Sequence, residues 1–367
     1  MTFIPVAQPV LGEEEARAVY DVVKAGWITM GKKVEDFEAA VCAFTGAKHA
    51  IAMNNGTSTL HGILAALDIG PGDEVIVPTM TYISSVNAVL YVGATPILCD
   101  NDPLTFNVTP ELVREKITRK TKAIMTVDMK GLPVDYDAFA ALSEETGIPF
   151  ISDSAESLGA VYKGRHVGGT PALAHSFSFF ANKAITTGEG GMVVTNDADL
   201  VKRLRIIRNQ GQEGRYNHTH LGHNYRMTDI TAAIGIEQMK RVAGTIAEKD
   251  RLARRYNKAF AAVAGVAAPH IPNYVDQHSW YMYSITVAAN ARDGLLNTLA
   301  AKGIETRLSF PPVHTQPYHR RVFGWAAENF PVSMNSYATF LDIPIWSGLS
   351  DEAQDRVVHA ITDHLNP

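Results

Sequence analysis

Cysteine is almost missing from this sequence: Cys42 and Cys99 are the only two in 367 residues, and no C-x-x-C pair occurs. A disulfide framework and a thiolate zinc site are therefore not expected. Positive charge is not in excess either, with 33 Lys and Arg against 38 acids and a formal charge of −5. Chains that bind nucleic acid usually show the opposite balance, so no nucleic-acid partner is expected. No apolar run approaches the ~20 residues of a membrane span. The opening Met1-Thr2-Phe3-Ile4-Pro5-Val6 lacks a charged stretch followed by an apolar core, so no secretory signal is expected there. These absences exclude a membrane role and make the cytoplasm the expected setting. What remains is 46% hydrophobic and 19% charged residues, an ordinary globular composition. At roughly 150 residues per domain, the length predicts two domains.

Residues 12–25 and 33–45 show helical spacing, joined by Gly26-Trp27-Ile28-Thr29-Met30-Gly31. Short β-branched runs then alternate with helical patterns. Strands are expected at 75–77, 96–98, 123–127 and 149–151, and helices near 57–68, 82–92, 109–118 and 135–146. Thr109-Pro110-Glu111 is a helix start, a hydroxyl cap followed by proline in the first turn. This alternation predicts βαβ units and a mostly parallel sheet covered on both faces. Met192-Val193-Val194-Thr195 reads as a further strand, closed by the turn pair Asn196-Asp197. Residues 228–264 read as helix, 280–287 as strand, and 292–302 and 350–365 as helices. A large domain over 1–244 and a smaller α+β domain over 245–367 are expected.

Three short motifs carry little. Gly26-x-x-x-x-Gly31-Lys32-Lys33 nearly matches a phosphate loop, but Lys33 replaces the magnesium-binding hydroxyl and a helix precedes it. Gly188-Glu189-Gly190-Gly191 precedes a strand rather than following one, so it is no dinucleotide turn. His218, His220 and His223 have neither zincin nor finger spacing, and a solvated loop without metal is expected.

A more specific constellation spans residues 54–228. Pro149-Phe150-Ile151-Ser152-Asp153 puts a carboxylate at the end of a buried strand, where open α/β sheets bind ligands. Lys183 follows the aromatic run Ser176-Phe177-Ser178-Phe179-Phe180, and burial there predicts a lowered pKa and a nucleophilic amine. Asn54-Asn55-Gly56-Thr57-Ser58-Thr59 introduces a helix whose free N–H groups and hydroxyls suit a phosphate. Phosphate cradle, aspartate and lysine together are what pyridoxal phosphate requires. Each alone has an ordinary reading, as a turn, a helix cap or a surface lysine.

The sequence resembles the DegT/DnrJ/EryC1/StrS family of nucleotide-sugar aminotransferases over essentially its whole length. The carrying residues are Gly26-Trp27-Ile28-Thr29, Asn55 to Leu60, Gly72-Asp73-Glu74-Val75-Ile76-Val77-Pro78 and Ser176 to Gly191. Asn224-Tyr225-Arg226-Met227-Thr228-Asp229 and Pro312-Val313-His314 also match. The resemblance implies fold type I of the pyridoxal-phosphate enzymes, an aspartate-aminotransferase-like α/β fold with a seven-stranded, mostly parallel sheet. It implies a homodimer with shared active sites, L-glutamate as donor, a nucleotide-linked keto sugar as acceptor, and pyridoxamine phosphate between the two half-reactions. Carried over by position, Lys183 bonds the cofactor and Asp153 pairs with its ring nitrogen. Glu156 meets its phenolic oxygen and Tyr82 stacks on the ring. Ser178 joins Gly56, Thr57 and Ser58 on the phosphate, with Asn224 arriving from the neighbouring subunit. Trp27, Thr29, Arg226, Arg307 and His314 fall where substrate would sit.

Phe179-Phe180-x-Asn182-Lys183 and Ile304-Glu305-Thr306-Arg307 resemble the subgroup of that family that aminates C4 of GDP-4-keto-6-deoxy-mannose in surface-polysaccharide synthesis, and the resemblance implies that acceptor. Val127-Asp128-Met129-Lys130-Gly131 departs from that pattern, where a His-Leu-Tyr-Gly run is expected. Lys130 is read there either as a contact to a diphosphate oxygen or sugar hydroxyl, or as a surface-loop lysine. Two alternatives stay open: amination at C3 with the sugar turned in the same site, and a non-catalytic regulator on the same fold. A dehydratase of this family would carry histidine at position 183, so Lys183 disfavours it.

Overall fold

The computed structural model describes residues 2–366. Its strands in chain order are β1 (His49–Met53), β2 (Glu74–Pro78), β3 (Thr95–Cys99), β4 (Thr121–Val127), β5 (Phe150–Asp153), β6 (Val161–Tyr162) and β7 (Arg165–His166). They continue with β8 (Ala174–Ser178), β9 (Gly191–Thr195), β10 (Val266–Ala267), β11 (Val275–Gln277), β12 (Tyr283–Val287) and β13 (Phe340–Ile343). Seven of them form one sheet in the order β1-β9-β8-β5-β4-β2-β3. Every neighbouring pair from β3 to β8 is parallel, and β9 alone runs against its neighbours. The expected mostly parallel α/β sheet is thus present. Its strands are apolar almost throughout because helices cover both faces.

On one face Phe37, Phe139, Phe177, Phe179 and Val242 are buried together. On the other Ile63, Leu64, Val86, Val89 and Leu204 pack from the helices Gly56–Ala66, Ile83–Tyr91 and Ala198–Arg208. A separate core joins β12 and β13 to the end of the long helix Asp229–Phe260 and to helices Ala289–Ala301 and Asp351–Leu365. Tyr256, Tyr283, Leu295, Leu299 and Ile361 lie at its centre. Each such side chain contributes ~1.5–3 kcal/mol by leaving water. The residue 244/245 division expected from the sequence falls inside Asp229–Phe260, which runs unbroken. No helix among the described residues is long and apolar enough to cross a membrane.

Local signals explain where elements differ from expectation. Thr109 caps its helix as expected, accepting from the Leu112 N–H, but the helix stops at Arg114. The strand expected from residue 280 begins at Tyr283. The Trp280 N–H donates to His278 Nδ1 (2.7 Å) and its φ of 53° turns the chain first. Asp197, read as a turn residue, caps the helix Ala198–Arg208. Helices Pro317–Phe323 and Pro331–Thr339 went unread, although each carries proline in its first turn. The phosphate-loop lookalike is two helix caps: Gly26 closes Glu13–Ala25 with a φ of 84°, and Gly31 opens Lys32–Thr45.

That second cap ties the helical N-terminal segment to the rest. The Asp229 carboxylate accepts from the N–H groups of Gly31 (2.8 Å), Val34 (3.1 Å) and Lys33 (3.3 Å). A side chain at Gly31 would run into Trp27 Nε1 and Asp229 Oδ2, so glycine is needed for this approach. Replacing Asp229 by alanine strands these donors, and a loss of about 2–3 kcal/mol is expected. Thermal unfolding of the Asp229→Ala protein should show a Tm lowered by several degrees; an unchanged Tm would refute the tie.

Candidate active site

The carboxyl ends of β1, β2, β4, β5 and β8 border one cleft of about 600 Å³. Ligands bind at this end of parallel sheets because loops diverge there and helix N-termini point in. Asp153, the last residue of β5, lies on its floor and is 6% exposed. Its Oδ2 accepts from the Ser85 hydroxyl (2.7 Å) and its Oδ1 from the Ala155 N–H (3.2 Å). Burial outweighs these bonds and the nearby Lys183 charge, raising the Asp153 pKa.

Lys183 enters from the turn after β8, where its N–H donates to the Phe180 carbonyl (3.0 Å). Its Nζ is 3.3 Å from Glu156 Oε1 and 4.0 Å from the centre of the Tyr281 ring. The expected lowering of its pKa does not occur. Burial is the largest single influence and acts downward, but Tyr281, Glu156 and Asp153 together outweigh it and raise the pKa. The sequence offered the apolar run before Lys183 but not Tyr281, the largest of the influences that oppose burial. Glu156 is raised by burial, opposed chiefly by Lys183, and its Oε2 accepts from the Lys130 N–H (2.7 Å).

Opposite this cluster, Asn55 caps the helix Gly56–Ala66 by accepting from the Ser58 N–H (2.8 Å) and hydroxyl (3.0 Å). That leaves the Gly56 and Thr57 amides at the open helix end on the cleft wall. The Thr57 hydroxyl is 2.8 Å from that of Ser84, and Ser178 faces them from the end of β8. A Cβ at Gly56 would lie 2.9 Å from Ser178 Cβ, and one at Gly191 would lie 2.6 Å from the Asn55 carbonyl. The two glycines let the helix end sit directly on the sheet. Tyr82, 56% exposed, stands at the start of Ile83–Tyr91 with its ring 5.3 Å from Phe310.

The structure therefore brings Gly56, Thr57, Ser58, Tyr82, Asp153, Glu156, Ser178, Lys183 and Arg307 to one cleft. Trp27, Thr29, Asn224, Arg226 and His314 do not line it. Trp27 and Thr29 are exposed, and Arg226 bonds Asn209 Oδ1 (2.8 Å). His314 is buried, 2.7 Å from Thr79 Oγ1 and stacked on Phe330, with its pKa lowered by burial. Tyr281 and Ser85 were missed by sequence reasoning, since neither belongs to a charged or glycine-rich pattern, whereas Phe310, in the stretch Leu308-Ser309-Phe310-Pro311 expected to border the substrate pocket, does line the cleft. His218 and His220 are exposed, while His223 stacks on Tyr225 (4.8 Å) beside His61.

Both sequence readings of Lys130 fail. It is neither on the surface nor in the cleft. Its Nζ lies 2.5 Å from Asp342 Oδ1 with the side chain 6% exposed, because the left-handed turn at Lys130 (φ 60°) sends it under the cleft.

The residues present fit pyridoxal phosphate. A buried carboxylate with no full counter-charge suits a protonated ring nitrogen, a helix end flanked by three hydroxyls suits a phosphate, and a lysine stands between them. The DegT/DnrJ/EryC1/StrS aminotransferase pattern matches residues 9–362. The chain is 40% identical over 369 residues to a GDP-perosamine synthase of Caulobacter vibrioides, covering 99% of this chain and 98% of that one. It is 34% identical to the spore coat polysaccharide biosynthesis protein SpsC of Bacillus subtilis, covering 98% and 97%. The Streptococcus pneumoniae protein Spr1654, solved in a PLP form and a PMP form, superimposes with a TM-score of 0.94 at 29% identity, covering 99% and 98%. With the site's geometry and these likenesses in agreement, the chain belongs to the DegT/DnrJ/EryC1/StrS aminotransferase family and works with pyridoxal phosphate.

Proposed function

We propose that the protein transfers the amino group of L-glutamate to C4 of a nucleotide-linked 4-keto-6-deoxy sugar, with GDP-4-keto-6-deoxy-mannose as acceptor. The observation that carries the transfer is the Lys183–Glu156–Asp153 cluster facing the Gly56–Ser58 helix end across one cleft. The sugar rests on the full-length likeness to the Caulobacter GDP-perosamine synthase. When bound, pyridoxal phosphate supplies an aldehyde that amines capture and an electron-poor ring that stabilises charge at the neighbouring carbon.

The chain's residues do the rest. Gly56, Thr57, Ser58 and Ser178 bind the phosphate, and Tyr82 covers one face of the ring. Asp153 keeps a proton on the ring nitrogen. Lys183 Nζ would take the proton from the donor's α-carbon and deliver it to the carbon on the other side of the amino nitrogen. Glu156, 3.3 Å from Nζ, takes the proton that Nζ must shed before it can act as a base. Arg307, at the cleft mouth beside Glu305 (3.4 Å), is placed for an anionic part of the substrates.

Residues 1–244 are taken as the unit that carries the cofactor, and 245–367 as the smaller unit that adds Tyr281 and the 307–310 wall. The working form is a homodimer in the cytoplasm. Asn224 does not line its own chain's cleft and is free to reach a partner's phosphate, and Cys42 and Cys99 are free thiols. Trp27, Thr29 and Arg226 are assigned to the substrate side of this shared site, while His314, buried against Thr79 and Phe330, is left out of it.

Incubation with glutamate and matched 4-keto and 3-keto nucleotide sugars tests the reading, with products identified by NMR. The 4-amino sugar is expected, and exclusive formation of the 3-amino isomer would overturn the regiochemistry. Lys183→Ala should lose turnover by at least about 10³-fold, since it removes both the cofactor link and the proton carrier. Mixing Lys183→Ala chains with an inactive Asn224→Ala variant should restore part of the activity, because one hybrid site is intact; no recovery on subunit exchange argues against the shared site.

Asp153→Asn separates stability from rate. Burial raises the Asp153 pKa above its unfolded value, so the folded state binds more protons and gains stability as pH falls through that pKa. Above it the buried charge is a cost. Asparagine removes that cost, so the cofactor-free variant should melt above the wild type at pH 7–8 while turnover falls about 100-fold or more. Lower melting together with normal turnover would show that Asp153 does not serve the ring nitrogen.

A further inference from the structure

Lys130 is buried, pairs with a buried carboxylate and holds a backbone conformation that suits glycine. Its φ and ψ are 60° and 12°, a left-handed turn that costs a side-chain-bearing residue on the order of 1 kcal/mol. Something must hold it there. The Lys130 ammonium lies 2.5 Å from Asp342 Oδ1 and 3.5 Å above the Phe340 ring, with Phe106 at 5.7 Å. Asp342 is fully buried on β13, and it also accepts from the Ser284 hydroxyl on β12.

Two walls of the cleft meet at this pair. On one side, the turn that places the ammonium also aims the Lys130 N–H at Glu156 Oε2 (2.7 Å), and Glu156 Oε1 holds Lys183. On the other, Asp342 exchanges backbone bonds with Arg307 (2.9 and 3.0 Å), and its Oδ2 accepts from the Ser309 N–H (3.4 Å). Arg307, Ser309 and Phe310 line the cleft, and Phe310 packs on Tyr82. Ser279 also ties the Glu156 loop to the segment before β12, its hydroxyl donating to the Glu156 carbonyl (2.6 Å), but among the described residues only the Lys130–Asp342 pair joins the turn that holds the Glu156 carboxylate to the residue that holds Arg307 and Ser309.

We propose that the Lys130–Asp342 ion pair is a positioning device for the reaction, fixing the carboxylate partner of Lys183 relative to the 307–310 wall of the substrate cleft. Neither residue touches the reacting atoms. A buried ion pair is rarely the cheapest way to stabilise a core, because two charges must lose their water. Retaining one in a strained turn makes sense where it sets register between two elements. The inference rests on the aminotransferase reading and adds the device that sets the spacing of its site.

The test uses the holoenzyme carrying Lys130→Met together with Asp342→Asn, which leaves no buried charge unpaired. Three quantities are read: KM and kcat for the keto sugar, the pH midpoint of the bound cofactor's visible band, and the melting temperature. Glu156 faces Lys183, Asp153, Tyr281 and the Lys130 amide, so its displacement registers in the band. KM is expected to rise at least about tenfold, more than kcat falls, as the 307–310 wall loosens. The midpoint should move by about half a pH unit or more. A folded double variant with wild-type KM, kcat and midpoint overturns the proposal, even if its melting temperature drops. If that variant does not fold, Asp342→Asn alone, of nearly identical shape, is judged by the same readouts. Failure of the aminotransferase reading is distinguishable: wild-type protein would then lack a visible band that Lys183→Ala abolishes.

Discussion

Two carboxylates are shielded from water beside one ammonium, Lys183, with Glu156 paired to it and Asp153 close by, and most of the fold can be read as what keeps those three together. Moving each ion out of water costs several kcal/mol, and the attraction at 3.3 Å returns a comparable amount, so the cluster adds little net stability. It persists because the surrounding packing does not let it relax. Burial pushes both carboxylates up, while the lysine is drawn up against its own burial. Lys183 thus holds its proton more tightly than a free amine, and must be relieved of it before it can act as a base.

The parallel sheet supplies the rigid frame for this. Strand β5 delivers Asp153, and the neighbouring register sets Val127 on one side of it and Ser176 on the other. Behind the floor lies a second buried carboxylate, Asp128, with its pKa raised to about 6 by burial. It accepts from the hydroxyls of Tyr136 (2.6 Å) and Ser157 (2.5 Å), and its own N–H donates to the Asp153 carbonyl (3.1 Å). The same residue that departs from the expected histidine thus pins the strand end that carries Asp153. It is satisfied on several sides, as a buried polar network must be if it is to rigidify rather than destabilise.

Much of this was legible in the sequence. The alternation of β-branched runs with helical spacing yields the sheet, because a strand buried on both faces has few other ways to be written. Asp153, Lys183 and the Asn55–Ser58 turn were legible for a related reason: each sits at an element end, where polar residues interrupt apolar runs. Tyr281 and Ser85 were not legible. Their roles come from long-range contacts, and nothing in Trp280-Tyr281-Met282 announces that the ring will settle 4.0 Å from an amine nearly a hundred residues earlier. The Lys183 pKa failed for the same cause, since local apolarity was visible and the approach of Tyr281, which opposes it most, was not. β1 escaped because His49-Ala50-Ile51-Ala52-Met53 is too short and too apolar to show a period.

Lys130 is the sharpest case of that limit. By composition a loop lysine belongs in water, and by position a lysine near a sugar-phosphate cleft belongs on the ligand. It does neither, because three conditions that are invisible in one dimension coincide. A left-handed turn directs the side chain inward, Asp342 waits on a strand more than two hundred residues later, and two phenyl rings close around the ammonium. None of the three would justify the others alone: a buried aspartate without the lysine is an uncompensated charge, and the strained turn without the pair has no restoring force. Their joint presence beneath both walls of the cleft is a local exception to the rules of burial and backbone preference, and such exceptions gather where a protein sets the geometry of its chemistry.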